Sequence, residues 1–333
     1  MLKKKYNENN FRKNFQEVAM YSNSLIIKVA ELYYIKKSSQ KEIAKELEIS
    51  VPTVSRILQE ALNQGFVKVQ IVNVQNRVLQ IEELMKKKFN LIDAIVVETP
   101  SDKDDWHIKK LLGRKASELF FDIVKPGEKV GIGAGMGIYE MIESFDGVNH
   151  IPGLQIIPLM GGWGLKNLQN ETNKLVSSMA NVLNCSFQLL LSPAILSSQE
   201  TKNVFLSEPQ ISAVVNMWRE INTAIFSIGP EIEYSIFPSL TDSDTSVELV
   251  KEKGAVGDIL GRIINTNGCE MNIEYNKRMV SIPYEQLKNV KKRIGIGGGP
   301  KKIRSVKAAL KSGVLNYLIT DSETCLYILE NGG

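Results

Sequence analysis

The stretch SSQKEIAKELEISVPTVSRILQEALNQG, Ser38 to Gly65, leaves the chain little choice of local structure. Ser39 followed three residues later by Glu42 spells a capping box, so a helix starts there, with Ile43, Ala44 and Leu47 on its apolar face. Glu48-Ile49-Ser50 forms a turn, and Ser50 caps a second helix whose Pro52 falls in the first turn, where an amide is not needed. Val54, Ile57, Leu58, Ala61 and Leu62 recur at helical spacing and turn inward. Pro52, Thr53, Arg56 and Gln59 then face out, with Ser55 at the margin, and Gly65 supplies a left-handed stop.

Two helices this short cannot bury a core alone, so Leu25, Ile26, Val29, Leu32 and Tyr33 must supply a third. Phe66 to Ile71 alternates like a short strand. The sum is a winged helix-turn-helix whose second helix enters a DNA major groove with its N-terminal residues toward the base edges. Gln40, Ser50, Pro52, Thr53, Ser55 and Arg56 are the candidate DNA-binding residues. The plain alternative is a helical hairpin with a solvated polar face.

Charge supports the DNA reading. Residues 1–90 hold 16 Lys+Arg against 9 Asp+Glu, an excess of +7 in a chain whose net charge is only +4. Phosphate neutralisation needs such an excess on the helix-turn-helix half. Cys185, Cys269 and Cys325 are few and far apart, which predicts a cytoplasmic chain with no disulfide framework and no metal site. There is no apolar run of membrane-spanning length, and the basic start MLKKKYNENNFRKNF lacks the apolar core of a signal peptide.

Beyond a helix at 79–88 the pattern changes. Leu91 to Val97 is almost continuously apolar, as in a buried parallel strand. Further strands are expected at 129–134, 154–159, 187–191, 224–228, 293–297 and 317–320. Helical patterns lie between them at 107–121, 138–144, 173–183, 302–310 and 323–330. The alternation predicts an α/β, Rossmann-like domain with helices on both faces of a mostly parallel sheet, where ligands sit at the carboxyl ends of strands. The expected division is a basic arm at 1–20, the winged helix-turn-helix at 21–75, a linker helix at 76–90 and an effector domain at 91–333.

Four glycine-rich loops are expected at strand ends: Gly131 to Gly137, Met160 to Gly164, Gly254 to Asp258 and Gly295 to Lys302. None spells a dinucleotide or Walker fingerprint, and no cofactor is implied. Singly each is an ordinary tight turn; together they suggest one ligand pocket, because glycines let amides approach an anionic or hydroxylated ligand.

Ala30-x-Leu-Tyr-Tyr34, Gln40-x-x-Ile-Ala44, Pro52-Thr-Val-Ser-Arg56, Gly254-Ala-Val-Gly-Asp258, Gly298-Gly-x-x-Lys302, Ala309-Leu310 and Leu318-Ile-Thr-Asp321 occur in this order. In these motifs the chain resembles the SorC family of bacterial transcription regulators, from about Leu25 to Leu329. The resemblance implies an effector domain similar to sugar-phosphate isomerases, homo-oligomers such as dimers or tetramers on operator DNA, and modulation by a sugar or phosphorylated sugar. It places Asp258 and Lys302 in the effector pocket.

The chain departs from the family where hydroxyls usually follow the first pocket strand: Met136 and Gly137 stand there. In members that use an arginine before the second Gly-Gly, that place is Met160. The expected effector-binding set is Gly135, Met136, Gly137, Gly161, Gly162, Asp258 and Lys302, with amides standing in for the missing side chains. A ligand held through hydroxyls rather than a strongly anchored phosphate follows. Trp163 is a candidate to stack on a sugar face. Two other readings remain open: a sugar-phosphate isomerase or deaminase-like enzyme, and a regulator with a decayed pocket that answers to a protein partner. No Ser/His or Cys/His motif supports catalysis, and His107 and His150 lie outside the glycine-rich loops.

Overall fold

The computed structural model describes residues 21–67, 74–100, 104–147, 150–164, 171–235 and 247–331. The chain forms two compact units that meet between Asn73 and Val74.

The first unit is three helices, Asn23–Ala30, Gln40–Glu46 and Val51–Asn63. The first runs on through a π-turn, Glu31–Ile35. The capping box forms: Ser39 N–H donates to Glu42 Oε2 at 2.7 Å, and Glu42 N–H to Ser39 Oγ at 3.3 Å. Ser50 caps the next helix through the Thr53 amide at 3.3 Å, and Pro52 lies in its first turn. Ile26, Val29, Leu32, Ile43, Val54, Ile57, Leu58 and Ala61 make one buried cluster. Leu25, Tyr33 and Leu47 pack against its margin rather than within it. The wing expected at 66–71 lies mostly outside the described residues, as does the basic arm.

The helix Val74–Phe89, expected as a linker at 76–90, belongs to the second unit. Ile81 and Met85 are buried in that unit's core, and Glu82 Oε1 accepts the Val96 amide at 2.8 Å. With the boundary there, residues 1–73 hold 12 Lys+Arg against 7 Asp+Glu, an excess of +5.

The second unit is built on a seven-stranded sheet. Its strands are β1 (Asp93–Val97), β2 (Lys129–Ile132), β3 (Gln155–Pro158), β4 (Ser186–Phe187), β5 (Thr223–Ser227), β8 (Lys292–Ile296) and β9 (Tyr317–Asp321). Their order is β1-β9-β8-β5-β2-β3-β4, and every pairing is parallel. Alternate residues enter opposite cores. Ile156, Ile225 and Ile319 pack with Phe120, Met141 and Met179 on one face. Ile157, Phe226 and Leu318 pack with Trp218, Ile263 and Ile328 on the other. Such strands, buried on both sides, read as continuous apolar runs.

A hairpin of β6 (Ala255–Ile259) and β7 (Arg262–Asn265) lies outside this sheet. Gly254 to Asp258, expected as a glycine-rich loop, is therefore mostly strand. Among the described residues no helix is long and apolar enough to cross a membrane, and no cluster of His, Cys, Asp and Glu could hold a metal ion.

Candidate functional site

Strand order reverses between β2 and β5: the chain proceeds from β2 outward through β3 to β4, and the later strands lie on the other side. Loops leaving two such strands diverge and open a crevice at their carboxyl ends. A cavity of about 450 Å³ occupies that place, large enough for a sugar-sized molecule. Ala134, Gly135 and Met136 line it from β2; Ser227, Ile228, Gly229 and Pro230 line it from β5. Asp258 and Gly261 reach it from the β6–β7 hairpin, and Lys302 from the start of the helix Ile303–Ser312.

Asp258 and Lys302, distant in sequence, do share this cavity. Asp258 Oδ2 accepts the Gly261 amide at 3.1 Å, and Lys302 Nζ donates to the Ile228 carbonyl at 2.6 Å. Each keeps further hydrogen-bonding capacity. Burial pushes the Asp258 carboxyl up to about 6, against the pull of the Gly261 amide and of Lys302. Burial likewise brings the Lys302 ammonium down to about 8, helped by nearby Lys109. Gly229 is glycine for a steric reason, since a Cβ there would lie 1.9 Å from Asp258 Oδ1.

On the opposite wall Gly135, at φ 119°, begins the helix Met136–Glu143 with no side-chain cap. The amides of Met136 and Gly137 precede any intrahelical acceptor. Ser227 Oγ is buried beside them and has no hydrogen-bond partner. A Cβ at Gly135 or Gly137 would meet that oxygen at 2.8 or 2.9 Å. Ser227 Oγ, reaching in from the neighbouring strand, thus fills the space in which a side chain at position 137 would begin. Ser227 carried no signal in the sequence, because nothing local marks which strand-end side chain fills the space beneath a distant glycine.

The second glycine pair behaves differently from the expectation. Gly161 N–H donates to the Val280 carbonyl and Gly162 N–H to the Ser192 carbonyl, both at 2.9 Å, so neither amide is free for a ligand. A Cβ at Gly161 would meet Pro193 O at 2.5 Å, and one at Gly162 would meet Glu171 Oε1. Backbone packing is what requires glycine at position 161, whereas at 162 the neighbour is the end of the Glu171 side chain. Met160 lines the cavity, and so does the half-buried Trp163, whose ring lies close over Gly261. Asp105 and Lys109, ion-paired at 2.6 Å on the helix Asp105–Ile123, complete the polar lining and were not anticipated.

A buried carboxylate holds the loops that carry these groups. Asp321 accepts from Gly299 N–H at 2.7 Å, Thr99 Oγ1 at 2.9 Å, Thr324 N–H at 3.0 Å and Thr324 Oγ1 at 2.6 Å. It ties the turn before Lys302 to the segment that follows β1.

In the first unit Ser50, Pro52, Ser55 and Arg56 are exposed, while Gln40 and Thr53 are half-buried. Thr53 Oγ1 is shared with Ser50 Oγ at 2.8 Å. The start of the helix Val51–Asn63 therefore presents a polar face with one guanidinium.

A family model described as "Putative sugar-binding domain" matches residues 74–330, and one described as "Sigma-70, region 4" matches residues 28–64. Over 307 residues the chain is 26% identical to the deoxyribonucleoside regulator of Bacillus subtilis, a span of 92% of this chain and 97% of that protein. It is also 26% identical over 309 residues to the sorbitol operon regulator of Klebsiella pneumoniae, covering 92% and 98% of the two chains. The crystal structure of that full-length regulator matches with a TM-score of 0.69 over 92% of this chain and 98% of the other.

Proposed function

Because the chain belongs to the SorC family, with its sugar-binding domain at residues 74–330, we propose that it is a DNA-binding transcription regulator controlled by a sugar or sugar phosphate held in the cavity. The relatives it resembles are named as regulators, not as enzymes. The observation that carries the reading is the cavity at the strand-order switch, in which a carboxylate and an ammonium face a common space. Carboxylates accept pairs of sugar hydroxyls, and a lysine donates to hydroxyl or anionic oxygen. The exposed Arg56 and its neighbours would meet base edges in the operator's major groove.

The finer reading concerns charge. At the Gly135–Met136 end the donors are two amides and the Ser227 hydroxyl, all neutral, and neutral hydrogen bonds are about half as strong as charge-assisted ones. A hydroxyl-rich ligand suits that end better than one that depends on a phosphate anchor. Isothermal calorimetry on matched pairs, a sugar and its phosphate ester, tests this after a thermal-shift screen has found a binder. Similar affinities within a pair are expected. A phosphate ester bound more than roughly 100-fold tighter than its parent sugar would overturn the charge reading. No stabilisation by any sugar or ester would overturn the ligand class itself.

A further inference from the structure

The turn that delivers Lys302 to the cavity has no cap of its own. The helix Ile303–Ser312 starts at Lys302 without a side-chain hydrogen bond, and Lys302 N–H closes the turn on Gly299 O at 3.0 Å. Two neighbours hold it instead. On one side Glu231 N–H donates to Lys301 O at 2.9 Å, and the Glu231 carboxylate takes the Arg304 amide at 3.4 Å. On the other side Asp321 Oδ2 accepts the Gly299 amide at 2.7 Å. The fit there is close, because a Cβ at Gly298 would run into Asp321 Oδ2. Asp321 is 1% exposed, so bulk water cannot stand in for it.

Asp321 also caps the helix Ser322–Glu330, but capping needs one oxygen only. Oδ1 accepts the Thr324 amide at 3.0 Å, a task that serine or threonine performs as well. The second oxygen reaches across to Gly299 and is steadied by Thr324 Oγ1 at 2.6 Å. Building on the reading of the cavity given above, we propose that Asp321 is a positioning residue for the effector site. By holding Gly299 it keeps the Lys302 side chain inside the cavity, against the Ile228 carbonyl. Placement decides what a ligand meets. Lys302 Nζ donates to Ile228 O at 2.6 Å, and Asp258, Asp105 and Lys109 face the same space. Freed from Asp321, the turn still hangs on Glu231 and can swing Nζ toward solvent. A ligand would then find a solvated ammonium in place of a desolvated one, and hydrogen bonds made in a low dielectric are the stronger.

Competitive acetylation of the full chain across pH, read at Lys302 by peptide mass spectrometry, tests this. In the wild type burial puts the Lys302 midpoint at about 8. Asp321→Ser keeps an N-cap oxygen and loses the reach to Gly299. Its midpoint should rise by about one pH unit or more, toward the ordinary 10.5. Gly298→Ala wedges a methyl between the turn and Oδ2, so it should raise the midpoint likewise, and it serves if Asp321→Ser does not fold. Thr324→Val removes a hydroxyl from the same carboxylate without touching Gly299. It should lower the melting temperature and leave the midpoint in place. An unmoved midpoint in folded Asp321→Ser or folded Gly298→Ala would overturn the proposal. An equal rise in Thr324→Val would overturn it too, since general loosening would then be the cause. No ligand enters the experiment, so these outcomes stand apart from a failed sugar screen, which would overturn the reading of the cavity instead.

Discussion

The helix-turn-helix and the cavity are built on opposite plans. The first comes from one contiguous stretch, Ser38 to Gly65, whose caps, turn and apolar spacing all act within a few residues. The second draws on side chains from Asp105 to Lys302, brought together by the order of strands in a sheet. Its Asp258 and Lys302 sit in surroundings that shift them away from their ordinary values, whereas the helix Val51–Asn63 keeps Ser55 and Arg56 in solvent. A local element can lose an outward residue without losing its shape. A site assembled from distant loops changes when any one of its supports moves.

The largest effect expected is from Lys302→Ala. A ligand at about 100 times its Kd stabilises by roughly 2.7 kcal/mol, and this variant should lose that gain while its operator affinity stays within about two-fold. Thermal shift with the best binder and an anisotropy titration with operator DNA read the two quantities. Parallel loss of both would break the comparison. Arg56→Ala is the converse. It should weaken operator binding by roughly 1–3 kcal/mol and leave ligand-induced stabilisation unchanged. Gel-shift titration at fixed salt measures it, and full specific affinity in the variant would mean that this helix does not read bases as placed here.

Adding the family's hydroxyls back is a sharper test of the cavity. Thr at positions 136 and 137 would simply restore the expected anion site if there were room. Position 137 has none, because Ser227 Oγ and Ile296 crowd its Cβ position at 2.9 and 3.0 Å. Gly137→Thr should therefore cost about 1–3 kcal/mol of stability in urea denaturation, without gaining phosphate affinity. Ser227→Ala should preserve the fold and weaken ligand binding by about 1 kcal/mol, the size of one neutral hydrogen bond.

Titration gives the last contrast. Asp258 is raised from 3.8 to about 6 on folding, so between those values the native state holds a proton that the unfolded chain has released. Stability must then fall as pH rises from about 4 to 6. Lys302 is lowered from 10.5 to about 8, so the unfolded chain holds the extra proton above 8, and stability must recover towards pH 10.5. The stability contribution of the pair is lowest between these windows, where both are charged. Asp258→Asn should flatten the acid limb of a stability-against-pH curve. An unchanged acid limb would assign that slope to other carboxylates.

What could be read from sequence follows the same division. Ser39 with Glu42 and Ser50 with Pro52 were legible because capping is a matter of three or four residues. The parallel sheet was legible because strands buried on both faces leave apolar runs. The β6–β7 hairpin was obscured by Gly254, Gly257 and Gly261, which resemble a loop until Asp258 is seen paired with Ile263. The role of Gly161 could not be inferred, since a glycine required by a neighbouring carbonyl looks the same as one required by a ligand. Asp105, Lys109 and Ser227 were missed because their place in the cavity depends on strand order, which no local pattern encodes.

The pairing of β1 with β9 also has a consequence in time. Asp93 lies opposite Tyr317, so the first strand of the sheet waits for the last. At 5–20 residues per second, roughly 10–45 s of synthesis separate them. The helix-turn-helix builds its buried cluster from its own residues and can form while that interval runs. In the emerging chain the DNA-reading unit can therefore be complete before the chamber exists, and a ribosome that stops short of Tyr317 would release a reader without its sensor.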